Sequence, residues 1–203
     1  MTERMPVSSA GRKTQSSVPR SQEKAFGFWI YLMTDAIVFA LLFATYVVMS
    51  RGTAGGLTGR ELFSVPRTFG ETLVLLFSTA TFGFATLAAR ACDRGATVLL
   101  LLLTFILGAS FVSMEIHEFH GMIAMGAGPD RSGFLSAFFT LVGTHGLHVT
   151  VGLVCILVLI GQLLYKGLNE AVGSRLFRLS LFWHFLDIVW IGIFSVVYLP
   201  GAL

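Results

Sequence analysis

A handful of ionisable side chains interrupt long apolar runs in this sequence: Asp35, His145, His148, His184 and Asp187. His145 and His148 are three residues apart, as are His184 and Asp187, so on helices each pair shares a face about one turn apart. Trp183, Asp187 and Trp190 also recur at helical spacing and mark an aromatic face around a carboxylate, which should turn toward another helix. A second polar group, Glu115, His117, Glu118 and His120, follows the third apolar run, and Glu71 opens the second. Three chemistries suit such residues. Two imidazoles at matching depth, His148 and His184, are what a b-type haem requires. Aspartate and histidine at mid-membrane depth are also typical proton-relay groups. The third reading is structural, with hydrogen bonding between helices and anchoring of lipid headgroups. Glu115, Glu118 and His120 could reach a metal, but a solvated helix end explains them more simply, and no metal site is expected of them.

The elements that position these residues are membrane helices. Of 203 residues, 55% are hydrophobic and only 12% charged, against roughly 25% charged in soluble domains. Seven of the 25 charged residues fall within the first 24 positions, which leaves the remainder poorer still. Windows able to cross a hydrocarbon core of about 30 Å fall at about 26–49, 69–90, 96–116, 134–160 and 177–199. The expected architecture is all-α, a single five-helix transmembrane domain over 26–203 behind a disordered polar tail over 1–25 that lacks the apolar core of a signal peptide. No internal repeat and no inverted pair of broken helices suggests a transporter.

Orientation follows from the cationic residues. Arg4, Arg12, Lys13, Arg20, Lys24, Arg90, Arg94, Lys166, Arg175 and Arg178 fall on one side, against Arg51, Arg60, Arg67 and Arg131 on the other. Ten against four predicts a cytoplasmic N-terminus and a periplasmic C-terminus. The net charge of +3 then reflects inward-facing loops, and nucleic acid is not an expected partner. Cys92 falls in a loop and Cys155 within the fourth span, so neither a disulfide nor a metal site is expected of them. Counting from the helix entries places Asp35 and Asp187 roughly 14 to 15 Å deep and His148 roughly 18 Å deep, compatible with one polar layer that also includes His184. Ala85 with Ala89, and Gly143 with Gly146, permit close helix approach.

The strings FGFWIYLMTDAIVFALLFATY (Phe26 to Tyr46), MEIHEFH (Met114 to His120), GPDRSGFLSAFFTLVGTHGLHVTVGL (Gly128 to Leu153) and SLFWHFLDIVWIGIFSVVYLPG (Ser180 to Gly201) resemble subunit III of haem–copper respiratory oxidases. The resemblance spans about residues 25–203, is carried most specifically by THGLHV with WHFLDIVW, and is strongest to the short branch found in bacterial cytochrome bo-type ubiquinol oxidases. It implies a supporting subunit of the bacterial inner membrane, packed beside subunit I and associated with subunits II and IV. It further implies haems and copper in subunit I, none in this chain, and phospholipid held in a helical cleft. By position, the resemblance puts Asp35 where the family has a buried, carbodiimide-reactive carboxylate, usually Glu. Glu118 matches the acidic residue of the third helix, and His145, His148, His184 and Asp187 match the family's polar signature. The chain departs from the pattern at His117, often Tyr in relatives, and at Gly121, often His. A cytochrome c oxidase subunit III and an independent proton-coupled transporter are the alternatives.

Overall fold

The computed structural model describes residues 20–50, 52 and 65–202. Within them the chain forms five long helices: α1 (Arg20–Met49), α2 (Val65–Arg90), α3 (Arg94–Ala124), α4 (Gly133–Lys166) and α5 (Glu170–Ile193). The last continues through a π-helical segment, Phe194–Tyr198, into a final turn, Leu199–Ala202. All five are long and apolar enough to cross a membrane. Residues 1–19 of the expected tail, and all of the first glycine-rich loop except Gly52, lie outside the described residues.

Each helix is longer than its apolar run predicts. The α1 helix starts at Arg20 rather than 26, α5 at Glu170 rather than 177, and α3 ends at Ala124 rather than 116. Counting apolar residues finds only the stretch that meets hydrocarbon, whereas the backbone ladder runs on until something stops it. Asp93, Ser132 and Asn169 supply the stops at three N-termini, each accepting a hydrogen bond from the amide three residues on, at 2.9, 3.2 and 2.9 Å. The α4 helix ends on Gly167 at φ +67°, a left-handed position that glycine adopts without steric cost.

Helices α2, α3, α4 and α5 close into a ring in which each packs on the next and α5 returns to α2; α1 lies outside the ring against α4 and α5. An aromatic column fills the ring's axis. Phe82, Phe111, Phe138, Trp183, Trp190 and Tyr198 are all buried, with Phe111 edge-on to Trp190 at 4.6 Å between ring centroids. The two indoles hold α5 to α2: Trp183 Nε1 donates to Ser78 Oγ at 2.8 Å and Trp190 Nε1 to Thr72 Oγ1 at 3.0 Å. Glycine admits the bulk of Trp183. A Cβ on Gly108 of α3 or Gly152 of α4 would stand 2.9 Å from its ring.

Candidate functional site

The polar residues singled out by spacing turn to different neighbours within the bundle. At the α1–α4 contact, His148 Nε2 lies 3.8 Å from Asp35 Oδ2. His148 is oriented by its other nitrogen, which donates to the Thr144 carbonyl at 2.7 Å. Asp35 is only 9% exposed, and Tyr31, one turn earlier on α1, faces it. Across the bundle, Asp187 faces Thr79 of α2 and His184, while His184 Nδ1 donates to the Ser180 carbonyl at 2.7 Å. His145 stands between the groups, fully buried, with Nε2 donating to the Leu186 carbonyl at 3.2 Å and its ring 5.2 Å from that of Trp190. The face bearing Trp183, Asp187 and Trp190 therefore turns to α2, through Ser78, Thr79 and Thr72 in turn. Depth counting cannot separate these groups, because residues at one depth on a helix can still face opposite neighbours.

Near the Asp35–His148 pair, a cleft of about 360 Å³ opens between α1, α4 and α5. Its walls are Phe28, Tyr31, Val151, Cys155, Val158, Leu159, Leu179 and Phe182, and Gln162, Arg175 and Arg178 add the polar groups. Arg175 Nη1 donates to Gln162 Oε1 at 2.5 Å and Arg178 Nη1 to Ser174 Oγ at 2.6 Å, so both guanidinium groups are held in place and keep further donors free of each other. Apolar walls with cationic groups toward the α5 N-terminus suit an amphiphile with an acidic head. Cys92 and Cys155 are both exposed free thiols.

The group after the third apolar run is where the sequence expectation of a solvated helix end needs correction. The α3 helix continues past it, and Glu115 and Glu118 are 4% and 8% exposed, facing Glu71 of α2, which is 0% exposed. His117 and His120 point outward. The partners of this acidic group come from distant segments: Arg67 Nε lies 3.6 Å from Glu71 Oε1, and the Tyr198 hydroxyl donates to Glu118 Oε2 at 3.4 Å. The signal available in the sequence was the i, i+3 spacing of Glu115 and Glu118, which puts both on one helix face.

Five membrane-length helices around a buried polar and aromatic core, with a cationic-mouthed apolar cleft at one side, define a multi-pass integral membrane protein. Residues 9–202 match the family described as cytochrome c oxidase subunit III, and the chain belongs to that family. It is 55% identical over 178 residues to the cytochrome bo(3) ubiquinol oxidase subunit 3 of Pseudomonas aeruginosa, covering 88% of this chain and 85% of that protein. It is 44% identical over 175 residues to the quinol oxidase subunit 3 of Bacillus subtilis, covering 86% of each. It is also 42% identical over 180 residues to the cytochrome c oxidase subunit 3 of Bacillus sp. PS3, covering 89% of this chain and 87% of that protein.

Proposed function

We propose that this chain is subunit III of a proton-pumping terminal quinol oxidase in a bacterial inner membrane, with its N-terminus cytoplasmic. The observation that carries the reading is the 55% identity along 88% of the chain to a subunit of a ubiquinol oxidase. Quinol is favoured over cytochrome c as the electron donor because two ubiquinol oxidase subunits stand at 55% and 52% identity, against 42% for the cytochrome c oxidase subunit of Bacillus sp. PS3. Haems and copper belong to the partner subunit I in this reading, and this chain, with subunits II and IV, supports it. Several buried polar groups fit that support role: His145 Nε2 on the Leu186 carbonyl and the two indole N–H groups on α2 are used in contacts between helices.

The cleft binds phospholipid, with acyl chains along Tyr31 and Phe182 and the phosphate at Arg175 and Arg178, the residues at its polar end. Co-purification tests the assembly. An affinity tag on this chain should bring down a haem-bearing large subunit, and recovery of a stable chain without haem would reject the reading in favour of an independent transporter. The complex prepared without this chain should reduce oxygen at its first turnovers and lose activity sooner. Failure from the first turnover would instead give the chain a direct part in catalysis. Asp35→Asn should leave the proton-to-electron ratio intact if Asp35 serves the α1–α4 contact, and lower it if Asp35 takes part in proton uptake.

A further inference from the structure

Away from the cleft, at the end of the bundle where α3 finishes, three carboxyl groups are enclosed together. Glu71, Glu115 and Glu118 offer six oxygens, and among the described residues the side-chain donors that reach them are one guanidinium, 3.6 Å from Glu71, and one phenol, 3.4 Å from Glu118. Arg67 is itself 41% exposed and shares its Nη2 with the Met114 carbonyl at 3.3 Å. Helix α4 brings no charge to them. It presents Gly146, where a Cβ would lie 2.7 Å from Glu115 Oε2, while His145 beside it is turned to the Leu186 carbonyl.

Independently of the charge count, Glu115 is more than nine-tenths buried, and among the described residues its Oε1 has no hydrogen-bond partner and neither oxygen of Glu71 accepts a hydrogen bond. Ionised carboxylates only accept, so three of them cannot satisfy one another, whereas a protonated carboxyl becomes a donor. Burying charge without a counter-ion is also costly. Among the described residues no group of three or more acidic, histidine or cysteine side chains is placed to hold a metal ion. A proton on one carboxyl supplies the donor that the orphaned oxygens lack.

We propose that Glu71, Glu115 and Glu118 form a proton-holding site whose carboxyl groups carry two protons among them and leave one negative charge opposite Arg67. The protons come from water at the exposed Arg67 side and return to it, with no bond made or broken except O–H. The site is a property of this chain and stands whether or not the oxidase assignment does.

Infrared spectroscopy of the detergent-purified protein, with whatever subunits accompany it, tests the site. The parent should show protonated-carboxyl C=O absorption that shifts down in deuterium oxide, and Glu115→Gln, an isostere of the protonated acid, should remove part of it while keeping the melting temperature. Arg67→Gln should act oppositely and raise the absorption by about one carboxyl group, since the negative charge loses its cation and takes up a third proton. Should Glu115→Gln fail to fold, the Arg67→Gln spectrum decides alone. An Arg67→Gln absorption equal to that of the parent, or a folded Glu115→Gln with undiminished absorption, overturns the proposal. A melting temperature raised by calcium or sodium over choline, and only when Glu115 is present, overturns it in favour of a metal cation.

Discussion

Replacing Gly152 by alanine tests how the bundle accommodates its largest side chain. The new methyl carbon would meet Trp183 Cζ3 at 2.9 Å, Cε3 at 3.1 Å and Phe182 Cε1 at 3.4 Å, where carbon atoms ordinarily rest about 3.5 to 4.0 Å apart. The indole has to withdraw by roughly 0.6 Å or more to restore that contact distance. It has nowhere to go. Gly108 packs so closely against the ring that a Cβ there would also meet it at 2.9 Å, and the indole N–H is held 2.8 Å from Ser78 Oγ. Overpacking of this kind costs about 1 to 3 kcal/mol, and loss of the Ser78 hydrogen bond adds about 0.6 kcal/mol, the average for such bonds within membranes. We expect Gly152→Ala to lower stability by about 1.5 to 3.5 kcal/mol in SDS titration from mild detergent. Trp183→Phe removes the ring edge that the methyl strikes, so the double variant should be at least about 1 kcal/mol more stable than the sum of the single changes, within the range for residues in contact. Additivity to within about 0.5 kcal/mol, or a Gly152→Ala protein as stable as the parent, would refute the reasoning.

Other perturbations follow from the same contacts. Gly146→Ala should drive Glu115 from its place against α4 at a cost of about 1 to 3 kcal/mol, and adding Glu115→Ser should recover part of that loss in the same titration, because the 2.7 Å clash is with the carboxyl. A double-mutant cycle on Trp190→Phe and Thr72→Ala should give a coupling of about 0.5 to 1.5 kcal/mol across the α5–α2 contact; zero coupling would remove that bond from the account of the fold. Arg175→Ala with Arg178→Ala should reduce the phospholipid that co-purifies, measured by phosphorus assay or mass spectrometry, without changing helix content. Asp93→Ala should cost about 1 kcal/mol through loss of the α3 N-cap.

The spans were legible because crossing hydrocarbon demands long apolar runs, and no pairing information is needed to find them. The similar depth of Asp35 and His148, whose atoms stand 3.8 Å apart, was accessible by counting along two helices. What the residues could not reveal was azimuth. Nothing local says that Asp187 turns to Thr79 while Asp35 turns to His148. The Glu115–Glu118 stretch misled for a related reason: charge after an apolar run reads as the end of a helix, and its burial depends on Arg67 and Tyr198, respectively about 50 residues before and 80 after it in the chain. The roles of Gly108 and Gly152 likewise become visible only once Trp183 is placed between them.

The π segment at Phe194–Tyr198 has a consequence for register. A π turn holds one residue more than an α turn, and one residue corresponds to about 100° of rotation about the helix axis. Side chains beyond Ile193 are thus out of phase with a regular continuation of α5, and Tyr198 reaches Glu118 from that shifted phase. Deleting Val196 would let the helix close as a regular α-helix and swing the tyrosine by about that angle, away from the carboxyl group. A one-residue gap in this stretch therefore changes which side chains look inward, so sequences of different length here cannot be compared position by position past Ile193.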